Sequence, residues 1–78
     1  MSTHETVTTS IRVRLAMLNK NQTWLADECE KSKAWVSDRM SGRVGMSTDD
    51  IDLIAHALAV LPHHLTSGDL IPKLAVAA

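Results

Sequence analysis

Two helix caps only eleven residues apart constrain this chain more than any other feature. Asn21 is a strong N-cap, and Gln22 to about Glu30 reads as one short helix. Ser32 is a second N-cap, opening a helix from Lys33 to Ser41 that Gly42 stops. About three residues join the two helices, which is the spacing of a helix-turn-helix. Leu25, Ala26 and Cys29 share one face of the first of these helices, and Val36 and Met40 share one face of the second. The five predict an apolar contact that sets the angle between the helices. Left outside on the second helix are Lys33, Ala34, Ser37, Asp38 and Ser41. That set is polar or small, as a helix entering a major groove requires.

A chain of 78 residues makes one domain, near the lower size for folding without disulfides or metal. Trp24 and Trp35 are its only aromatics, so the core must be built from Leu, Ile, Val, Ala and Met. Cys29 is the lone cysteine and has no partner for an intramolecular disulfide. At helical spacing beside Leu25 it reads as a small core hydrophobe rather than a nucleophile. No apolar run approaches about 18 residues, and the N-terminus lacks the layout of a signal peptide. A cytoplasmic protein with no membrane partner is therefore the expectation.

The net charge of −1 argues weakly against nucleic acid until the charges are located. Residues 1–46 hold seven Lys or Arg against five acids, whereas residues 47–78 hold one Lys against four Asp. The basic excess lies in the half that carries the paired caps, where it bears on phosphate contact. The excess is modest and predicts moderate affinity from a single copy.

Residues 1–8 are polar, lack periodicity and are expected to form a flexible N-terminus without Lys or Arg. Thr8, Thr9 or Ser10 then caps a helix to about Asn19, with Ile11, Leu15 and Leu18 as its buried stripe. Arg12 and Arg14 fall off that stripe and read as solvated surface charge. After the Arg43–Met46 loop, Ser47 opens the best-signalled helix of the chain. Ser47 and Asp50 approximate a capping box, Met46 can staple onto Ile51, and Asp49 and Asp50 suit the positive end of the dipole. Ile51, Ile54, Ala55 and Leu58 give this helix its inward face. Pro62 suits the first position of a short fifth helix reaching Leu65 or Thr66, and Gly68 ends it. The segment 68–78 forms an apolar C-terminal tail, with Leu70, Ile71, Leu74 and Val76 as candidate oligomer contacts.

His56, His63 and His64 have no Cys or acidic partner at ligand spacing, so they read as surface histidines and no metal is expected. No Gly-rich phosphate loop, nucleophile–base set or catalytic carboxylate pair is present, and a small helical domain leaves little room for a cleft. The expectation is a protein that is not an enzyme and needs no cofactor. Trp35 can pack against Arg39 one turn on, lie along a DNA backbone, or be partly buried against the neighbouring helix, the last being favoured.

The stretch resembles the lambda-repressor and Cro-like (XRE) DNA-binding family. The resemblance rests on Gln22, Leu25, Ala26, Ser32, Val36, Ser37 and Gly42 in the order of the family's pattern, and it spans roughly residues 9 to 67. STDDIDLIAHALAV and LPHHL resemble the family's fourth and fifth helices. Two departures stand out: Glu30-Lys31 where the family usually has Gly and an apolar residue, and Lys20 where an apolar residue is common. The resemblance implies an all-α fold of five short helices in a compact bundle, with residues 9–67 as the DNA-binding domain. It assigns base contact to Lys33, Ala34, Ser37 and Asp38, and backbone contact to Gln22, Ser32, Ser41 and Arg43. Asp38 would repel phosphates unless it meets a base donor or pairs with a neighbouring cation.

The expected function is sequence-specific binding of double-stranded DNA by a small transcriptional regulator of the Cro-like, phage or prophage repressor type. A palindromic operator and a homodimer on DNA follow from the short reach of one recognition helix. The alternatives are the DNA-binding half of a longer regulator or an antitoxin, and a protein-interaction module on the same helical scaffold.

Overall fold

The computed structural model describes residues 2–71. Five helices follow one another: α1 Thr3–Leu18, α2 Gln22–Glu28, α3 Lys33–Ser41, α4 Thr48–Ala57 and α5 Pro62–Thr66, with no strand among the described residues. The fold is all-helical, its five helices those that the caps and periodicity predict and its bundle the one that the family resemblance implies.

The first helix departs most from expectation. It begins at Thr3, with Ser2 as N-cap accepting from the Glu5 backbone N–H at 3.1 Å, so residues 3–8 are helical rather than irregular. Two physical reasons account for the extension. Val7 lies four residues before Ile11 and carries the buried stripe one turn further, through Val7, Ile11 and Leu15. The hydroxyls that make the segment look polar are satisfied within the helix, which permits their burial. Thr6 Oγ1 donates to the Ser2 carbonyl at 3.0 Å, Thr8 Oγ1 to Glu5 at 3.2 Å and Ser10 Oγ to Thr6 at 2.7 Å.

Turns between helices follow from backbone sign. Asn19 ends α1 in the left-handed region at φ 56°, with its N–H on the Ala16 carbonyl and that of Lys20 on Leu15. The second helix ends at Glu28, two residues before the expected boundary, because Glu30 sits at φ 57° and cannot continue a helix. Lys31 N–H then closes on the Ala26 carbonyl at 2.9 Å. The capping box of α4 is complete: Ser47 Oγ accepts from Asp50 N–H, and Asp50 Oδ2 accepts from Ser47 N–H, both at 3.1 Å.

The core joins α1 to the helix-turn-helix and to α4 and α5. Leu25, Ala26, Cys29, Val36 and Met40, the five residues read as the α2–α3 contact, are all buried alongside Val7, Ile11, Leu15, Ile54, Ala55, Leu58 and Leu65. Leu18, Met46 and Ile51 pack against this cluster half-buried. Arg14 is not the solvated charge its position off the stripe implied. Its Nε donates to the Leu58 carbonyl at 2.9 Å, closing the C-terminal end of α4 with a cation, as the helix dipole favours.

Candidate nucleic-acid interface

Each helix of the pair is started by a polar side chain and aimed by an apolar one. Asn21 Oδ1 accepts from the Trp24 N–H at 2.9 Å, and Ser32 Oγ accepts from the Trp35 N–H at 3.0 Å. Val36 and Met40, buried on α2 and the core, hold the opposite side of α3 outward. That side presents Lys33, Ala34, Ser37 and Ser41, all exposed, with Asp38 half-buried at its edge. Gln22 is exposed at the first residue of α2, and Arg43 is exposed just past the end of α3.

Hydrogen bonding narrows what some of these side chains offer. The Ser32 hydroxyl oxygen is already the acceptor of the α3 cap. Ser41 Oγ donates to the Asp38 carbonyl at 3.1 Å and accepts from the Arg43 N–H at 3.4 Å, bracing the helix end. Asp38 has the neighbouring cation its tolerance requires: Arg43 Nη1 lies 3.8 Å from Asp38 Oδ1, with the Arg43 side chain 80% exposed. An ion pair so open to water is weak, so Arg43 can exchange the carboxylate for a phosphate. Of the candidate oligomer contacts, Leu70 and Ile71 are half-buried, Leu70 against the core, whereas Leu74 and Val76 lie outside the described residues.

Gly42 closes α3 at φ 86°, in the region that favours glycine, and its N–H donates to the Arg39 carbonyl. A Cβ there would stand 3.2 Å from His4 Nε2, so the early turn of α1 packs against the end of α3. His64, read as a surface histidine, is half-buried, and its Nδ1 accepts from the Leu61 N–H at the start of α5.

Three cations stack on the two tryptophans. Of these contacts only Arg39 on Trp35 was among the readings of the sequence, beside the favoured partial burial of Trp35, which is half-buried against the core. Lys20 Nζ is 5.7 Å from the Trp24 ring centroid, Lys31 Nζ 5.6 Å from Trp35, and the Arg39 guanidinium carbon 4.1 Å from Trp35. The signal was present as a repeated spacing, Lys, cap, two residues, Trp, in Lys20–Trp24 and again in Lys31–Trp35. This places Lys20 and Lys31, both exposed, beside the starts of α2 and α3.

The described residues enclose no pocket, and no three His, Cys, Asp or Glu side chains among them converge as metal ligands. No described helix is long and apolar enough to cross a membrane. Burial pushes the Cys29 thiol up, with Glu28 adding to the shift and Lys31 opposing it. A raised thiol has little thiolate at neutral pH, and Cys29 packs as a small hydrophobe of the core.

No family model matches the chain, and no solved structure matches it. Among curated proteins it is similar to the Control protein C.BamHI of Bacillus amyloliquefaciens, at 37% identity over 54 residues, 69% of this chain and 67% of that protein. With the paired caps, the buried α2–α3 contact and the outward polar face of α3, that similarity establishes that the chain belongs to the lambda-repressor and Cro-like (XRE) helix-turn-helix family of DNA-binding regulators.

Proposed function

We propose that the protein is a sequence-specific, DNA-binding transcriptional regulator that inserts α3 into the major groove. The observation that carries this reading is the division of α3 into two sides. Val36 and Met40 are buried while Lys33, Ala34 and Ser37 stand exposed at its first turns. Lys33 can donate to guanine O6 and N7, Ala34 can meet a thymine methyl, and Ser37 can serve either partner. Arg43 engages a phosphate, which releases Asp38 to accept from a cytosine amino group. Gln22, Ser32 and Ser41 grip the backbone, the two serines through the capacity their local hydrogen bonds leave free.

One such helix reads only a few base pairs, so two copies on a palindromic operator, about 34 Å apart, are the natural assembly. The tail, with Leu70, Ile71, Leu74 and Val76, is the proposed contact between copies. The name of the similar protein favours a control protein over a phage Cro. Selection of bound sequences from random duplex DNA tests the reading. A single enriched, two-fold symmetric site is expected. Recovery of no sequence preference at low salt would remove it.

A further inference from the structure

Resting on this DNA-binding reading, we propose that Arg39 and Asp50 are positioning residues that set the angle at which α3 presents its side chains to base edges, without themselves touching DNA. The recognition helix packs extensively only against α2. A polar tie to α4 passes through Arg39. Nε donates to Asp50 Oδ2 at 3.0 Å, and Nη1 donates to the Trp35 carbonyl at 3.2 Å. The guanidinium also lies on the Trp35 ring, so its plane and two of its donor directions are fixed at once.

Asp50 is equally committed. The same Oδ2 that receives Arg39 accepts the Ser47 N–H, so one carboxylate oxygen joins the capping box of α4 to the recognition helix. Both side chains are largely covered, 17% and 18% exposed. A charge-assisted bond in that setting is stronger than a surface pair, and loss of either partner leaves the other charge unpaired. Arg39 is therefore withdrawn from the cations available to phosphates, unlike Arg43 at 80% exposure.

The consequence is a particular signature. Hydrogen bonds to base edges depend steeply on direction, whereas flexible lysines reach phosphates from many angles. Tilting α3 should cost discrimination rather than general grip. The test compares wild type, Arg39→Met, Asp50→Asn, the double variant and Arg39→Lys on the wild-type-selected site and on scrambled duplex, with folding followed by circular dichroism. Asp50→Asn keeps an oxygen for the Ser47 cap and removes the charge from the Arg39 bond, so it reports on the charged tie even if Arg39→Met unfolds.

Each single change should weaken the selected site about tenfold, the scale of one lost base contact, and scrambled duplex by less than about threefold. The double variant should be no worse than the worse single one, because both break the same link. Arg39→Lys should recover part of the discrimination, keeping the charge but not the fork. Equal losses on both duplexes with a shallower salt dependence would make Arg39 a phosphate cation and overturn the assignment. Unchanged binding to both by folded variants would overturn it as well. A wild-type protein that selects no sequence removes the DNA-binding reading and this assignment together, before any variant is compared.

Discussion

At the scale of single residues, the exposed positions of α3 divide by the partner they can reach. Lys33 opens the helix, so Lys33→Ala should cost about 1–3 kcal/mol on the selected site and relax preference at one base pair. Gln22→Ala and Arg43→Ala should instead weaken specific and scrambled DNA by similar factors, because phosphates carry no sequence. Affinities of all three variants on both duplexes make the check. Equal losses for Lys33→Ala would strike it from the base readers.

Asp50 yields a second prediction at this scale. Burial alone would raise its carboxyl, but the Ser47 N–H and then the Arg39 bond and charge outweigh it and lower it below the ordinary value. A carboxyl depressed on folding stabilises fully above its unfolded pKa, about 4, and that contribution is lost as pH falls through the folded value. Denaturant midpoints measured from about pH 5 downward should therefore fall more steeply for wild type than for Asp50→Asn.

At the scale of elements, the turn between α2 and α3 carries a cost that a different residue would remove. Glu30 holds φ 57°, where a side chain is strained by roughly 1–2 kcal/mol and glycine is not. Part of that gain is offset by the greater freedom of glycine in the unfolded chain. Glu30→Gly should thus stabilise the fold by about 0.5–1 kcal/mol, read as a higher denaturant midpoint with an unchanged slope. The opposite experiment lies at Gly42: alanine there meets both the positive φ and His4, and should destabilise. Ser47→Ala removes the oxygen that caps α4 and should cost about 1 kcal/mol.

For the whole molecule, the number of free cations sets the strength of the DNA contact. Arg14 closes α4 and Arg39 is tied to Asp50, which leaves Lys20, Lys31, Lys33 and Arg43 as the exposed cations on and beside α2 and α3. The slope of log K against log salt should be shallow, about −3 to −5 per protomer. A binding isotherm insensitive to salt would point to a protein partner instead. Two copies on one operator should also bind cooperatively, and deletion of residues 72–78 should reduce that cooperativity. Equal binding of a full palindrome by the truncated and intact chains would remove Leu74 and Val76 from the proposed contact.

What the sequence determined by itself is what short-range chemistry encodes. Asn21, Ser32 and Ser47 mark helix starts because each cap bonds only three residues along the chain. Leu25, Ala26, Cys29, Val36 and Met40 were legible as one contact because a 3.6-residue period places them on facing sides. The roles that tertiary structure alone decided belong to groups whose partners are distant or whose exposure depends on packing. Nothing near Arg14 points to a carbonyl 44 residues away, and nothing near Arg39 points to a carboxylate on the next helix. The helical state of residues 3–8 was hidden for a related reason: their hydroxyls favour irregular backbone until burial of Val7 makes the helix the better place for them.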